Sequence, residues 1–541
     1  MSDYDVIIIG AGMGGAASAY ALTKRGLKVL ILEAGPAYNP ATDYRLDKPD
    51  WEKERFPFKP NSQGKYTFGT EQSLDDSKWS KLRSWNHQLG LLNPTNTRKF
   101  GAYHHVRGVG GSTLHFTGEA HRLHPEAMQM YTRFGVAADW PLNYAELEPY
   151  YIQAENLIGV AGAKFSIRHR SAPFPLPPHA PSYSEQVLAK GFDKLGLSWT
   201  PNSLAILSEP YANRPACNYC AACNLGCPRG DKGSADVTFI QAALQTGKCD
   251  IKTGMQVLRL KTGKNDKINS VIVTNGEKQH KFNAPLYILA AGAIETPRLL
   301  LASEVGNDSG QVGRNFMETL FHSSLALHPE PLGSHRGLPS GFICWDYNAP
   351  DAIPNIVGGC RFSPAVAEAG FIGAGQYATR VIPGWGRKHK QAMRQSCANI
   401  LGMSGIGESL PNKNTYIDLD FIQTDEHGIP LARIHSQLTE MDKQRLKFIA
   451  DTSENILHAA GAGKIFERYS NYDFFNTTHV FGTCRMGINP ENSVVNANLR
   501  SHHWQNLYIA DTSVFPSSGG GESPSLTIAA LALRMAEFIL H

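Results

Sequence analysis

The chain of 541 residues has no stretch of the roughly 18 unbroken apolar residues that a membrane span needs. Ahead of the apolar run at Ile7 there is no room for a basic n-region and an apolar h-region. The sequence therefore predicts a cytoplasmic protein without a membrane span, periplasmic only if a partner subunit carries it. An excess of one charge is missing too. The 52 Lys and Arg against 48 Asp and Glu leave a net charge of +4, and no basic run or aromatic–basic repeat of a nucleic-acid binder stands out, so small-molecule chemistry is expected. Nine cysteines, an odd number in so long a chain, do not make a secreted disulfide scaffold. What is present is 42% hydrophobic content, enough for a large core and more than one domain.

The organising stretch is the first thirty-five residues. The apolar run Asp5 to Ile9 passes into Gly10-Ala11-Gly12-Met13-Gly14-Gly15 and then into a helix-like Ala16 to Lys24. A second apolar run, Lys28 to Leu32, ends on Glu33. Strand, glycine turn, helix, strand and terminal acid at this spacing form a dinucleotide-binding βαβ unit. Gly10 allows the tight turn, Gly12 admits the pyrophosphate, and Gly15 lets helix and strand pack closely. The helix N-terminus adds unpaired N–H groups and a positive dipole end. Glu33 favours an unphosphorylated ribose, hence FAD or NAD.

After Pro36 the chain reads as a long surface excursion, polar and proline-containing to about Pro60 and without clear periodicity to Arg98. Arg107 to His115, with Gly108, Gly110, Gly111 and Ser112, is a second glycine-dense segment suited to close backbone approach to a ligand. Residues from Pro141 to Ile158 read as an amphipathic helix, and the proline-rich Ser171 to Pro181 as a linker. Asp236 to Leu244 reads as a helix, 270–273 and 286–290 as short strands, and Ser525 to about Ile539 as a closing helix with proline near its first turn. Cys217, Cys220, Cys223 and Cys227-Pro228 have the spacing of a bacterial iron–sulfur run. A zinc site, whose ligands more often form separated pairs, and cysteines without a ligand are the alternatives.

Taken together, these segments resemble the glucose/methanol/choline family of FAD-dependent oxidoreductases from end to end. The resemblance rests on the N-terminal glycine finger, Gly108 to Ser112, Gly292 to Leu300, His479-Val480-Phe481-Gly482-Thr483-Cys484-Arg485-Met486-Gly487, and Asn506 to Thr527. It implies an α/β fold: a discontinuous Rossmann-like FAD-binding domain plus a substrate domain with an antiparallel sheet. The expected FAD domain spans 1–160, 200–310 and 470–541, with the Cys-rich segment 215–232. The expected substrate domain spans 161–199 and 311–469. Carried over, Glu33 holds the ribose, Val257 lies by the adenine, Gly292 opens a third small-residue turn, and Asp511 lies by the pyrophosphate or ribityl chain. The helix opening at Ser525 and Leu526 points its N–H groups at the flavin.

His479 matches the family's base, which takes the hydroxyl proton of an alcohol as hydride passes to flavin N5. Ser523 stands where relatives carry an asparagine or a second histidine, a shorter group that can donate and accept. His115 aligns with the histidine through which some members bind FAD covalently; a non-covalent contact is the alternative. The iron–sulfur dehydrogenase branch matches Cys217, Cys223 and Cys227 around a 3Fe-4S cluster, with Cys220 able to complete a 4Fe-4S one. The resulting expectation is an FAD-dependent dehydrogenase of an alcohol or sugar, passing electrons through the cluster to an external acceptor or to a small or cytochrome partner subunit. An oxygen-using alcohol or sterol oxidase and a non-catalytic flavin and iron–sulfur carrier are the rivals.

Overall fold

The computed structural model describes residues 3–44, 64–86, 88, 90–91, 95–164, 168–367 and 369–539. Much of the surface excursion expected after Pro36 falls on 45–63, outside the described residues.

The centre of the molecule is a five-stranded sheet in the order Leu507–Ile509, Leu286–Leu289, Val6–Ile9, Val29–Leu32, Cys249–Lys252. Every pairing in it is parallel. Val6–Ile9 and Val29–Leu32 are buried along their whole length. Continuous apolar runs, rather than alternating ones, are what a sheet covered on both faces requires. Helix Met13–Lys24 lies on this sheet, and its small residues set how closely. A Cβ on Gly15 would come within 2.1 Å of the Gly10 carbonyl oxygen, and one on Gly14 within 1.8 Å of that of Ala510. Gly14 is thus the contact that brings the last strand, some five hundred residues on, against the first helix.

Beside the parallel sheet sits an antiparallel meander of Gln256–Thr262, Ile268–Thr274 and Gln279–Phe282. Across from it stands a six-stranded sheet in the order Cys360–Pro364, Ile400–Gly407, Leu320–Leu327, Ile465–Ser470, Trp85–Asn86, Gly90–Leu91. Its pairings are all antiparallel. Helix Glu440–Ala459 covers it, started by a reciprocal cap between Thr439 and Asp442. Its buried Leu446, Ile449, Ser453, Ile456 and Leu457 recur at helical spacing.

The amphipathic helix expected before Ile158 is Tyr144–Ile158, and the closing helix is Ser525–Phe538. The stretch expected as one helix from Asp236 begins instead with a π-turn, Asp236–Ile240, and becomes α-helical only at Gln241–Leu244. There Ile240 N–H bonds five residues back to Ala235. Thr238 Oγ1 takes the Ser234 carbonyl at 2.7 Å, a local bond that competes with ordinary helix geometry. Among the described residues no helix is long and apolar enough to cross a membrane.

Candidate active site

A single cavity of about 710 Å³ runs from the carboxyl ends of the parallel strands to the six-stranded sheet. This is where open α/β sheets hold ligands, because strand-to-helix turns leave backbone N–H groups free there. At one end lie Gly10, Gly12, Glu33, Gly111, Ser112, Val257, Gly292, Asp511 and Ser525, nine residues expected from the sequence to hold the cofactor. Gly15, Gly110 and Leu526 are buried just behind this wall.

The residues fit a dinucleotide. A Cβ on Gly12 would meet no protein atom within 4 Å, so the bare position faces open cavity. The helix that follows has neither a side-chain cap nor an acid in its first turn. Its N–H groups and dipole remain available to an anion. The second glycine segment is built onto the first: Gly110 N–H donates to Ala11 O at 2.9 Å, and a Cβ on Gly111 would meet Gly12 Cα at 2.8 Å. Glu33 ties the two together. Its Oε2 accepts from Ala11 N–H, and its Oε1 from Gly35 and Gly108 N–H, at 2.8 to 3.0 Å. Of about four acceptor positions on a carboxylate, one is left for a ribose hydroxyl. Burial pushes this carboxyl above its ordinary value, against the three backbone donors.

Asp511 joins strand ends in the same manner, accepting from Gly292 and Ser513 N–H and from the Thr296 hydroxyl. The helix at Ser525 opens on Pro524 with no side-chain cap, leaving its N–H groups toward the cavity.

The Cys-rich segment meets the cavity through Asn224 and Leu225, not through its sulfurs. His115 Nδ1–H donates to the Asn224 carbonyl at 2.9 Å, which fixes the tautomer and puts the lone pair on Nε2. The buried Lys232 pins the segment to the His115 loop, giving its three ammonium hydrogens to the carbonyls of Leu114, Phe116 and Cys223. The four thiols lie near enough to interact electrostatically but are not gathered as a cluster needs. Tyr219 and Ala221, on either side of Cys220, adopt left-handed backbone with φ of 59° and 58°. Cys220 is consequently exposed while Cys223 is buried, and the Cys227 thiol is hydrogen-bonded to Asp231. Among the described residues no three His, Cys, Asp or Glu side chains are placed to hold a metal. This geometry does not fit a cluster.

At the other end of the cavity His479 and Ser523 share its wall. Burial pulls the His479 imidazole down to about 4, Glu119 works against this, and Arg361 and His121 add to it. His121, Glu119, Arg361 and Asn202 were not singled out in the sequence, and they fix this corner. Ser523 N–H donates to His121 Nδ1 at 3.2 Å, and His121 Nε2–H donates to Asn202 Oδ1 at 2.9 Å. Asn202 in turn donates to Glu119, which pairs with the buried Arg361. Arg361 holds the loop ahead of Ser523 by donating to the Gly521 carbonyl at 2.9 Å. The only sequence signal for such a corner was the run Gly519-Gly520-Gly521, where a Cβ at 520 or 521 would come within 2.3 or 2.2 Å of a carbonyl oxygen of another segment.

The roof, formed by the six-stranded sheet and helix Ala374–Arg380, mixes Phe321, Ile372 and Ile406 with Ser323, Ser404 and Gln376. Arg380, the guanidinium lining it among the described residues, is fully engaged. All five N–H groups go to Glu467, Ala369 O, Gln376 and Tyr469.

Comparison with known proteins agrees with this geometry. A family model described as GMC oxidoreductase matches residues 4–320, and a second, C-terminal one matches 411–532. The 2-methyl-1,2-propanediol dehydrogenase of Mycolicibacterium austroafricanum is 28% identical, over 99% of this chain and 95% of the relative. The fructose dehydrogenase large subunit of Gluconobacter japonicus is also 28% identical, over 99% and 98%. The crystal structure of pyridoxine 4-oxidase from Mesorbium loti shares the fold over the full length of both chains, with a TM-score of 0.65 at 20% identity.

Proposed function

The chain belongs to the GMC oxidoreductase family, and from that premise we propose that it is an FAD-dependent dehydrogenase of a neutral alcohol or sugar hydroxyl, passing electrons to an external acceptor. The observation that carries this is the placement of His479 and Ser523 in the same cavity as the Gly10–Gly12 cradle.

FAD, when bound, supplies the hydride acceptor at flavin N5. His479, held neutral by burial, takes the hydroxyl proton as the carbinol hydride leaves, so that the O–H and C–H bonds break and a carbonyl forms. Glu119 stabilises the resulting imidazolium. The Ser523 hydroxyl orients the substrate oxygen, while His121 holds its backbone N–H and Arg361 the Gly521 carbonyl just ahead of it. Neutrality of the substrate is drawn from the roof, where among the described residues the lining cation, Arg380, is taken up by Glu467. Two dehydrogenases aligned along the whole chain support an acceptor other than oxygen. A relay through Cys217, Cys220, Cys223 and Cys227 forms no part of this reading, because among the described residues no three of these side chains are placed to hold a metal.

The test is an anaerobic screen of sugars, polyols and aryl alcohols for flavin bleaching, each paired with the hydroxy acid of the same skeleton. Neutral compounds are expected to bleach the flavin and the acids to do so at least tenfold more slowly, the effect of about 1.4 kcal/mol. If no alcohol bleaches it, the dehydrogenase assignment fails. If acids match their neutral partners, only the substrate class fails. Peroxide formed in air at the turnover rate would make the protein an oxidase. A bond from His115 to the flavin would form at Nε2, and colour retained in an acid-precipitated pellet of wild type, lost in His115→Ala, identifies it.

A further inference from the structure

The near balance of charge over the whole chain conceals a cationic face. Helix Gly386–Ser396, with sequence GRKHKQAMRQS, contains no acid, and none of its residues is fully buried. Arg387, Lys390 and Arg394 recur at i, i+3 and i+7 and so share one face, with Lys388 beside it. Among the described residues none of these four cations has an ion-pair partner. Trp385, at the head of the helix, is 92% exposed. The half-buried His389, Ala392, Met393 and Ser396 mark the side of the helix turned to the protein, and Met393 packs there on the cluster around Phe371 and Tyr377. The helix lies between the two segments matched by the family models, 4–320 and 411–532.

Taken alone, this helix is poorly arranged. Arg387 and Lys388 stand at its positive end, where cations are unfavourable. Arg387 with Lys390, and Lys390 with Arg394, are like-charge neighbours. Trp385, its N-cap residue, gives no side-chain cap. An anionic surface laid along the 387–390–394 face would relieve the repulsions together. The exposed indole has an apolar body and one N–H donor, the combination that settles at a bilayer–water boundary. We propose that Trp385 and helix Gly386–Ser396 form a peripheral docking surface for an anionic lipid bilayer. A bilayer fits better than an acidic protein, because the face offers one indole flanked by cations and none of the shaped apolar patch that a protein interface centres on. Docking would occur five residues from Arg380, whose helix lines the cavity roof.

The test uses the full chain loaded with FAD, sedimented with vesicles of phosphatidylcholine alone or mixed with phosphatidylglycerol, at low and high salt. Binding is expected only with phosphatidylglycerol and is lost at high salt. The R387Q/K390Q/R394Q variant is expected to partition roughly a hundredfold more weakly, the effect of three basic residues at such a surface, and W385A several-fold more weakly. Flavin content and reduction in solution should stay at wild-type values in both variants, which shows that they fold. Absence of binding to phosphatidylglycerol vesicles at low salt overturns the proposal. So does binding that the triple variant retains. Capture by heparin without capture by vesicles also overturns it, and assigns the face to an acidic macromolecule instead.

Discussion

His479→Ala is expected to reduce its flavin roughly a hundred- to ten-thousand-fold more slowly than wild type while keeping FAD bound, the usual scale for removing a general base. The direction with pH follows from the same residue. Burial lowers the imidazole to about 4, so the base is neutral and competent across the neutral range, and the reduction rate should fall only as pH drops toward that value. An ordinary exposed histidine would lose the rate near 6.5 instead. Ser523→Ala should cost roughly ten- to a hundredfold, because one hydrogen bond with its partner left unpaired amounts to about 1–3 kcal/mol. Stopped-flow reduction under anaerobic conditions measures both. Should His479→Ala reduce at the wild-type rate while Ser523→Ala is inert, the base lies elsewhere.

Gly12→Val is expected to yield a folded protein almost without flavin, and Gly14→Ala a protein that does not fold properly. The two glycines are two residues apart and face opposite ways. At Gly12 the backbone is ordinary, φ −71° and ψ −173°, and a Cβ meets only open cavity, so valine clashes with the cofactor and not with the chain. At Gly14 the Cβ would lie 1.8 Å from the Ala510 carbonyl oxygen, and backbone on both sides must separate, at a cost of about 1–3 kcal/mol or more. Absorbance at the flavin band and thermal unfolding of the apoprotein tell them apart. Stoichiometric flavin in Gly12→Val would mean that the cofactor does not lie against this turn.

The glycine cradle was legible because it is local: strand, turn and helix are consecutive, and the acid at Glu33 follows at a fixed distance. His479, singled out through its neighbours Gly482 and Thr483, lies on the cavity wall. The corner holding Ser523 was not legible, since His121 meets Asn202 across 81 positions and Arg361 meets Glu119 across 242, and neither periodicity nor spacing records such pairings. The cysteine run meets a related limit. Spacing states how far apart thiols can be along the chain, whereas the left-handed backbone at Tyr219 and Ala221 decides which way they face.

The edge strand Leu507–Ile509 and helix Ser525–Phe538 complete a unit begun by the first strand, and Arg25 donates to the Ala536 carbonyl 511 positions away. On the ribosome, then, the N-terminal glycine turn emerges long before the residues that wall it in. Until Leu286–Leu289 is made, Val6–Ile9 keeps an unpaired apolar edge open to any other strand, the kind of edge on which chains aggregate. The cavity wall that faces the glycine turn is therefore complete only once helix Ser525–Phe538 has been made.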